Sequence, residues 1–321
     1  VLVGLGTAIY RAEGLPGRLA PEARAFAAAM EDKSETHEPC YKNRSLAVFK
    51  EKGPCLIGAT EAPEAPDFLL WGDSHAAALE PAVSAMAARF GRKGVMFAVP
   101  NCTPVLKVYY AKQPFKCIGV KKIAKNYQIS KNIKTIIIIS RWSKYISSNI
   151  SNKFGALISK NESDGSTTSN AARAVLRRGL DRTVTALDPS ARDIWFVRQV
   201  PYFGQSTDFD TIITRRHLAA WAPWLDMPEA PPRIPLAEHR AWQAPADRIL
   251  DAVAARHGLG VIDPASALCD APSAPDPACH LKRDGVVFYW DSNHLSATGA
   301  RHIAEIFRPV FADANRETAG R

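Results

Sequence analysis

Short apolar runs and amphipathic stretches alternate along most of this chain, so that hydrophobic positions recur first with the period of a strand and then with that of a helix. Residues 67–71 read as a buried strand, and residues 75–90 as a helix in spite of Pro81. Further strands are predicted over 94–99, over 133–140 with its four consecutive isoleucines, over 193–200 and over 258–262. Helical periodicity occupies 170–187, 236–257 and a closing stretch from 296 to about 312. Strands that are apolar on both faces and separated by helices predict a parallel sheet covered on each side, an α/β fold in three α/β/α layers.

The pattern is looser elsewhere. Residues 1–66 alternate helix-prone patches, the Ala-rich 18–30 above all, with breakers such as Pro63 and Pro66. We read them as an extension that wraps a main domain over 67–314, with a tail over 315–321. The first residues, Val1-Leu2-Val3-Gly4-Leu5, lack a methionine, and their apolar run ends by Tyr10, about half of the roughly 20 residues that span a bilayer. With Arg11 and Gly14-Leu15-Pro16-Gly17-Arg18 behind it, this start resembles a transmembrane helix leading into a linker, in which case the chain is a fragment; an ordinary buried N-terminal segment fits the residues as well. Residues 161–170 read as a Ser/Thr/Gly loop, and 222–235, with five prolines, as a surface excursion.

Composition narrows the class. A hydrophobic share of 46% and a charged share of 23% over 321 residues fit a folded globular chain and argue against disorder and against a membrane bundle. The net charge is +9, but no nucleic-acid-binding motif accompanies it, so it is read as surface bias and no nucleic-acid partner is expected. Eleven of the 17 lysines lie between Lys107 and Lys160, a stretch with one arginine, a shift that suggests a divergent insert or a recombined segment. Six cysteines form three near-neighbour pairs, Cys40 with Cys55, Cys102 with Cys117 and Cys269 with Cys279. Six cysteines permit fifteen pairings. None of these pairs has the CxxC spacing of a zinc or redox site, and an oxidising compartment with the three neighbour disulfides is expected, with six reduced core thiols in a cytosolic protein as the other reading. No metal-spaced histidine cluster and no phosphate-binding glycine loop is present, so neither metal nor cofactor is expected.

Two short segments carry chemistry. Gly72-Asp73-Ser74-His75 falls between the first strong strand and its helix, at the carboxyl edge where parallel sheets place ligands. A serine there gains helix N-terminal N–H groups suited to an oxyanion, although Asp73 or Ser74 as a plain helix cap fits too. A serine nucleophile needs a base oriented by a carboxylate. Asp291-Ser292-Asn293-His294-Leu295-Ser296, after apolar Val286-Val287-Phe288-Tyr289-Trp290, offers that pair as Asp291 and His294. Each motif is weak alone; two of them at strand-to-helix transitions at opposite ends of an α/β chain are much stronger.

These blocks, with Gly299-Ala300, resemble the first and last blocks of the SGNH (GDSL-like) hydrolase superfamily, which implies a flavodoxin-like sheet and a triad of Ser74, Asp291 and His294. Cys40 and Cys55 before Leu56-Ile57-Gly58, Asn101-Cys102-Thr103-Pro104, Ser140-Arg141-Trp142-Ser143 and Val200-Pro201 make the chain similar, more narrowly, to the extracytoplasmic SGNH domain at the C-terminus of acyltransferase family 3 membrane proteins. The superfamily's Gly–X–Asn–Asp block is missing, which leaves the oxyanion donors beyond Ser74 open. Gly94 is a candidate N–H donor, Arg141 stands where the third block falls, and Trp142 is a candidate site wall, though a core tryptophan is the commoner use. His75 reads as a turn residue rather than a second base. The resemblance implies transfer of an acyl group, acetyl above all, to a hydroxyl of a cell-envelope glycan such as lipopolysaccharide O-antigen. It implies a periplasmic location, a separate family 3 transmembrane domain as partner, and acetyl-CoA as ultimate donor through that domain. A glycan deacetylase with the same triad and a silent glycan-binding module are the other readings.

Overall fold

The computed structural model describes residues 2–11, 16–42, 45–110, 114–146, 157–159, 168–204, 209–222, 224 and 233–312. Six strands form the central sheet: β1 (Cys55–Gly58), β2 (Phe68–Gly72), β3 (Lys93–Ala98), β4 (Thr135–Ile139), β5 (Asp193–Val197) and β6 (Gly260–Ile262). Their order is β1-β3-β2-β4-β5-β6. Five strands run parallel, and β1 closes one edge antiparallel to β3, with Cys55 opposite Met96. The parallel strands thus follow the 2-1-3-4-5 order of a flavodoxin-like sheet, whose switch point lies between the first and third of them, here β2 and β4.

Alternation along each strand divides the core into two apolar layers. Phe68, Leu70, Ile137 and Ile139 face a layer made by helices α1 (Pro21–Glu31), α2 (Ser74–Arg89), α5 (Phe209–Trp221) and α7 (Ala297–His302). Leu69, Trp71, Ile136 and Ile138 face the other, made by α3 (Pro114–Ser130), α4 (Ser169–Leu187) and α6 (Leu236–His257). The expected three layers are present. Gly72 ends β2 because nothing larger fits: a Cβ there would lie 2.0 Å from the Ile139 carbonyl oxygen and 2.6 Å from the Ala76 side chain.

Several details depart from the pattern read along the chain. The closing helix expected over 296–312 is broken into α7, a 3₁₀ turn (Ala304–Phe307) and a short helix (Arg308–Phe311). Pro309, in the first turn of the last piece, has no N–H for the preceding helix and favours a fresh start. The Lys-rich stretch is part of the core layer structure: it supplies β4, which pairs with β2, and α3, whose Cys117 is bonded to Cys102. Of the loop expected over 161–170, positions 161–167 lie outside the described residues. So does most of 222–235, whose end (Arg233–Pro235) pairs with Ala278–His280 as a small antiparallel sheet. The tail over 315–321 also lies outside them. Among the described residues no helix is long and apolar enough to cross a membrane.

The segment before the main sheet is tied down from Pro21 onward at several points. Phe26 of α1 meets Phe209 of α5 edge-on at 5.9 Å. Asp32, at the end of α1, accepts the Ala297 N–H on its carbonyl and the Thr298 N–H on its side chain at 2.9 Å, so it holds the first turn of α7. Cys40 is bonded to Cys55 at the start of β1, and Cys269 to Cys279, so all three expected pairs are formed.

Lys121 of α3 is buried, with its ammonium donating to the Val105 carbonyl at 2.8 Å and to the Val108 carbonyl. Burial pulls its pKa down from 10.5 to about 7. The native state then holds fewer protons than the unfolded chain between these values, so stability rises with pH across that window. Urea unfolding of the wild type and of Lys121→Met as a function of pH should show the wild type gaining on the variant from about pH 7 to pH 10.5; parallel curves would exclude the buried ammonium as the cause.

Candidate active site

Asp73 organises the carboxyl edge of the sheet. It caps α2 by accepting the His75 N–H on Oδ1 at 2.9 Å. Its Oδ2 accepts from Ser140 Oγ at 2.7 Å, the Arg141 N–H at 3.0 Å and Tyr145 Oη at 2.8 Å. The carboxylate is therefore shared between the turn after β2 and the turn after β4, on the two sides of the switch point. Ser74 is the first residue of α2, where backbone N–H groups lack helical partners and face the sheet edge.

The loop after Trp290 brings the second motif to the same edge. Asp291 Oδ1 accepts the N–H groups of Asn293 and His294, both at 2.8 Å, and its Oδ2 meets His294 Nδ1 at 2.7 Å. Burial pushes the Asp291 carboxyl up, but the His294 hydrogen bond and charge and the two backbone donors outweigh it and hold the carboxyl below its usual range. With Nδ1 committed to the carboxylate, His294 Nε2 is left buried and without a hydrogen-bond partner. The imidazole lies 5.1 Å, ring centre to ring centre, from His75, the residue after Ser74. His75 is itself buried, bonded through Nε2 to Asn293 Oδ1 at 3.2 Å, and kept neutral by burial first and by the neighbouring His294 and Arg141 charges. It is a bridge between the two motifs, and as a neutral ring it adds no repulsion when His294 takes a proton.

Some residues of this site carry no signal in the two motifs. Tyr41 comes from the segment before the sheet, and its phenol interacts with Ser74 by hydrogen bonding; burial, then the charges of Asp73 and Asp291, raise its pKa well above the usual tyrosine range. His37 stands 5.3 Å from the Tyr41 ring and 5.1 Å from the Trp290 ring, and Trp290 lies 5.5 Å from His294. The Lys33 ammonium caps the Trp290 face at 4.4 Å. Tyr41 follows Cys40, so the disulfide to β1 fixes where this wall stands. That cysteine pair was the available clue, because 33 positions separate Tyr41 from Ser74.

Of the other candidates, Gly94 and Trp142 lie apart from Ser74, Asp291 and His294, and Arg141 lies at the same edge. Gly94 pairs with Phe68, four residues below the Gly72–Ala98 pair, which puts it about 13 Å down the sheet from the catalytic edge. It does not serve as an oxyanion donor there; it is glycine because the Phe68 ring fills the space, 2.3 Å from where a Cβ would stand. Trp142 is a core residue, fully buried, with Nε1 donating to the Val197 carbonyl at 2.8 Å. Arg141 is at the edge, its guanidinium 4.8 Å from the Tyr202 ring centre and its Nε unpartnered. Among the described residues the one cluster with metal-ligand spacing is His239 with Cys269 and Cys279, and both sulfurs are spent in a disulfide.

A serine at a helix start and a carboxylate-oriented histidine, joined through His75 and Asn293 at the carboxyl edge of a flavodoxin-like sheet, are the features of an SGNH-type domain. The chain belongs to the family of SGNH domains fused to AT3 domains, whose model matches residues 39–309. Its fold is similar to that of the periplasmic domain of the lipopolysaccharide acetyltransferase of Salmonella ser. Paratyphi A, at 14% identity and a TM-score of 0.53, over 87% of this chain and 97% of that one. A looser likeness links it to Est24, a carbohydrate acetylesterase from Sinorhizobium meliloti, at 13% identity and a TM-score of 0.41, over 79% of this chain and 99% of that one. No curated protein matches the sequence.

The Asp73 carboxylate is 1% exposed, and Asp73→Asn would set an amide N–H₂ against donors that need an acceptor. The variant should lose about 2–4 kcal/mol of stability, the cost of one or two buried donors left unpaired. Urea denaturation with an unchanged midpoint would contradict this account of the edge.

Proposed function

We propose that this domain transfers an acyl group, acetyl in the simplest case, to a hydroxyl of a cell-envelope glycan through an acyl-enzyme on Ser74. The observation that supports this reading is the state of His294: Nδ1 is bound to Asp291, and Nε2 is buried, unpartnered and beside the residue that follows Ser74. His294 Nε2 takes the Ser74 hydroxyl proton as the oxygen attacks the acyl carbonyl, and Asp291 steadies the resulting imidazolium. The Ser74 N–H at the start of α2, with Tyr41 Oη and Arg141 Nε at hand, receives the oxyanion. Collapse breaks the bond to the donor's leaving group, which departs with the proton from His294. The acceptor hydroxyl then gives its proton to the same nitrogen, attacks the acyl-serine and releases Ser74; water in its place gives hydrolysis.

Membership of a family fused to AT3 domains supports a membrane-embedded AT3 partner that brings acetyl from acetyl-CoA, and an extracytoplasmic setting in which the three disulfides persist. The domain itself then needs no cofactor. The second reading, glycan deacetylation, uses the same residues and differs in which hydroxyl resolves the acyl-serine.

Incubation with 4-nitrophenyl acetate should add one acetyl group to Ser74, visible by mass spectrometry, and a glycan acceptor should speed release of the acetyl into the glycan. Ser74→Ala should abolish the adduct, and Asp291→Asn should slow ester cleavage by about 10⁴-fold, the size of effect seen when a triad loses its orienting charge. Full cleavage by Ser74→Ala would sink the proposal. Acetyl released only to water in the presence of acceptor and AT3 partner would favour the deacetylase.

A further inference from the structure

Beyond the triad, the strand edge continues into a cavity of about 230 Å³ lined by Tyr202, Phe203, Gly204, Ile234, Glu238, His239 and Trp242. It is smaller than the roughly 300 Å³ at which pockets begin to enclose drug-sized ligands, and so suits a single ring. Its floor is aromatic: the Tyr202 and Trp242 rings lie 4.9 Å apart, tilted by 33°, and Trp242 is 39% exposed on a face where a core helix would bury it. Its rim is polar. Glu238 is one turn of α6 before Trp242, and His239, 5% exposed, has Nδ1 without a hydrogen-bond partner and is kept neutral mainly by burial.

The platform is fixed to the catalytic edge at three places. Gln243 of α6 donates to the Gln199 and Val200 carbonyls at 3.4 and 3.3 Å, which holds the segment bearing Tyr202 against the helix. The Phe203 N–H donates to the Ser292 carbonyl at 2.9 Å, within the loop that carries Asp291 and His294. On its other side Tyr202 meets the Arg141 guanidinium, whose backbone N–H is held by Asp73. The cavity is therefore linked to the edge that bears Ser74 through Arg141 on one side and the Asp291–His294 loop on the other.

We infer that the Tyr202–Trp242 platform with His239 and Glu238 is the acceptor subsite and takes one neutral pyranose ring of the glycan. A pyranose offers a C–H face that packs on an aromatic surface and a rim of hydroxyls that both donate and accept. Neutral His239 supplies one donor or acceptor, and the Glu238 carboxylate accepts from hydroxyls while repelling acidic sugars. The subsite rests on the acyl-transfer reading in one respect: that reading needs an acceptor hydroxyl delivered beside Ser74.

Saturation-transfer NMR on the whole chain tests it, with a panel of neutral methyl hexopyranosides at millimolar concentration and irradiation of the aromatic protons. The wild type, Ser74→Ala and Trp242→Phe should all transfer saturation to the C–H groups of one ring face. Trp242→Ala should lower the signal at least about 5-fold, as loss of an aromatic contact implies, with its thermal unfolding curve retained. Glu238→Gln, an exposed and isosteric change, should weaken binding and narrow the preference against methyl glucuronide. No transfer from any neutral pyranoside to the wild type, or an undiminished signal in folded Trp242→Ala, would overturn the subsite. The measurement involves no ester cleavage, so its failure leaves the Ser74 reading standing, and loss of that reading leaves pyranose binding to be seen.

Discussion

A single buried carboxylate, that of Asp73, holds the working edge of this domain together. Four donors converge on it: the His75 N–H from the nucleophile helix, and Ser140 Oγ, the Arg141 N–H and Tyr145 Oη from the turn and helix after β4. The two ends of the switch point would otherwise diverge, because β2 and β4 feed their chains to opposite faces of the sheet. Sharing one acceptor fixes where Ser74 stands relative to Arg141. The gap left by Gly72 matters for the same reason, since a side chain there would push the Ile139 carbonyl and α2 apart and stretch all four hydrogen bonds.

The rest of the site is hung on that frame by independent tethers. Asn293 bonds His75 through Oδ1, and through Nδ2 it reaches Asp291 at 3.3 Å, so the histidine loop is referenced to the turn that bears Ser74 as well as to its own flanking residues, where the Trp290 N–H donates to the His294 carbonyl. The segment before the sheet adds a third reference. Its disulfide from Cys40 to β1 and the Asp32 contacts with α7 place Tyr41, His37 and Lys33 against Trp290 and the triad. That segment is part of the site's wall, although it read along the chain as a wrapping.

How much of this the chain discloses depends on the range of the interaction. The sheet was legible because each strand carries its own apolar run, and the Gly72–His75 and Asp291–Ser296 motifs were legible because the residues that act together are neighbours. The Leu236–His257 helix shows its limits at both ends through Pro235 and the left-handed Gly258. What was not legible comes from packing between distant segments. Trp142 and Arg141 are adjacent, yet one is buried under β5 and the other faces Tyr202; no local pattern separates them. Helix Pro114–Ser130 was hidden by lysines that blur its apolar face, one of which, Lys121, turns inward to carbonyl oxygens.

The missing Gly–X–Asn–Asp block takes on a physical sense in this arrangement. An asparagine after β4 would offer one amide toward an oxyanion. Here Ser140 and the Arg141 backbone are spent on Asp73, while the Arg141 guanidinium, with Nε buried and unpartnered, lies over Tyr202. The same residue thus touches the frame of the nucleophile through its backbone and the aromatic platform through its guanidinium. A donor that spans both places links stabilisation of charge at Ser74 to whatever ring rests on Tyr202 and Trp242. On the proposed reading, a bound acceptor would order the oxyanion side, whereas water, which makes no contact with the platform, would not.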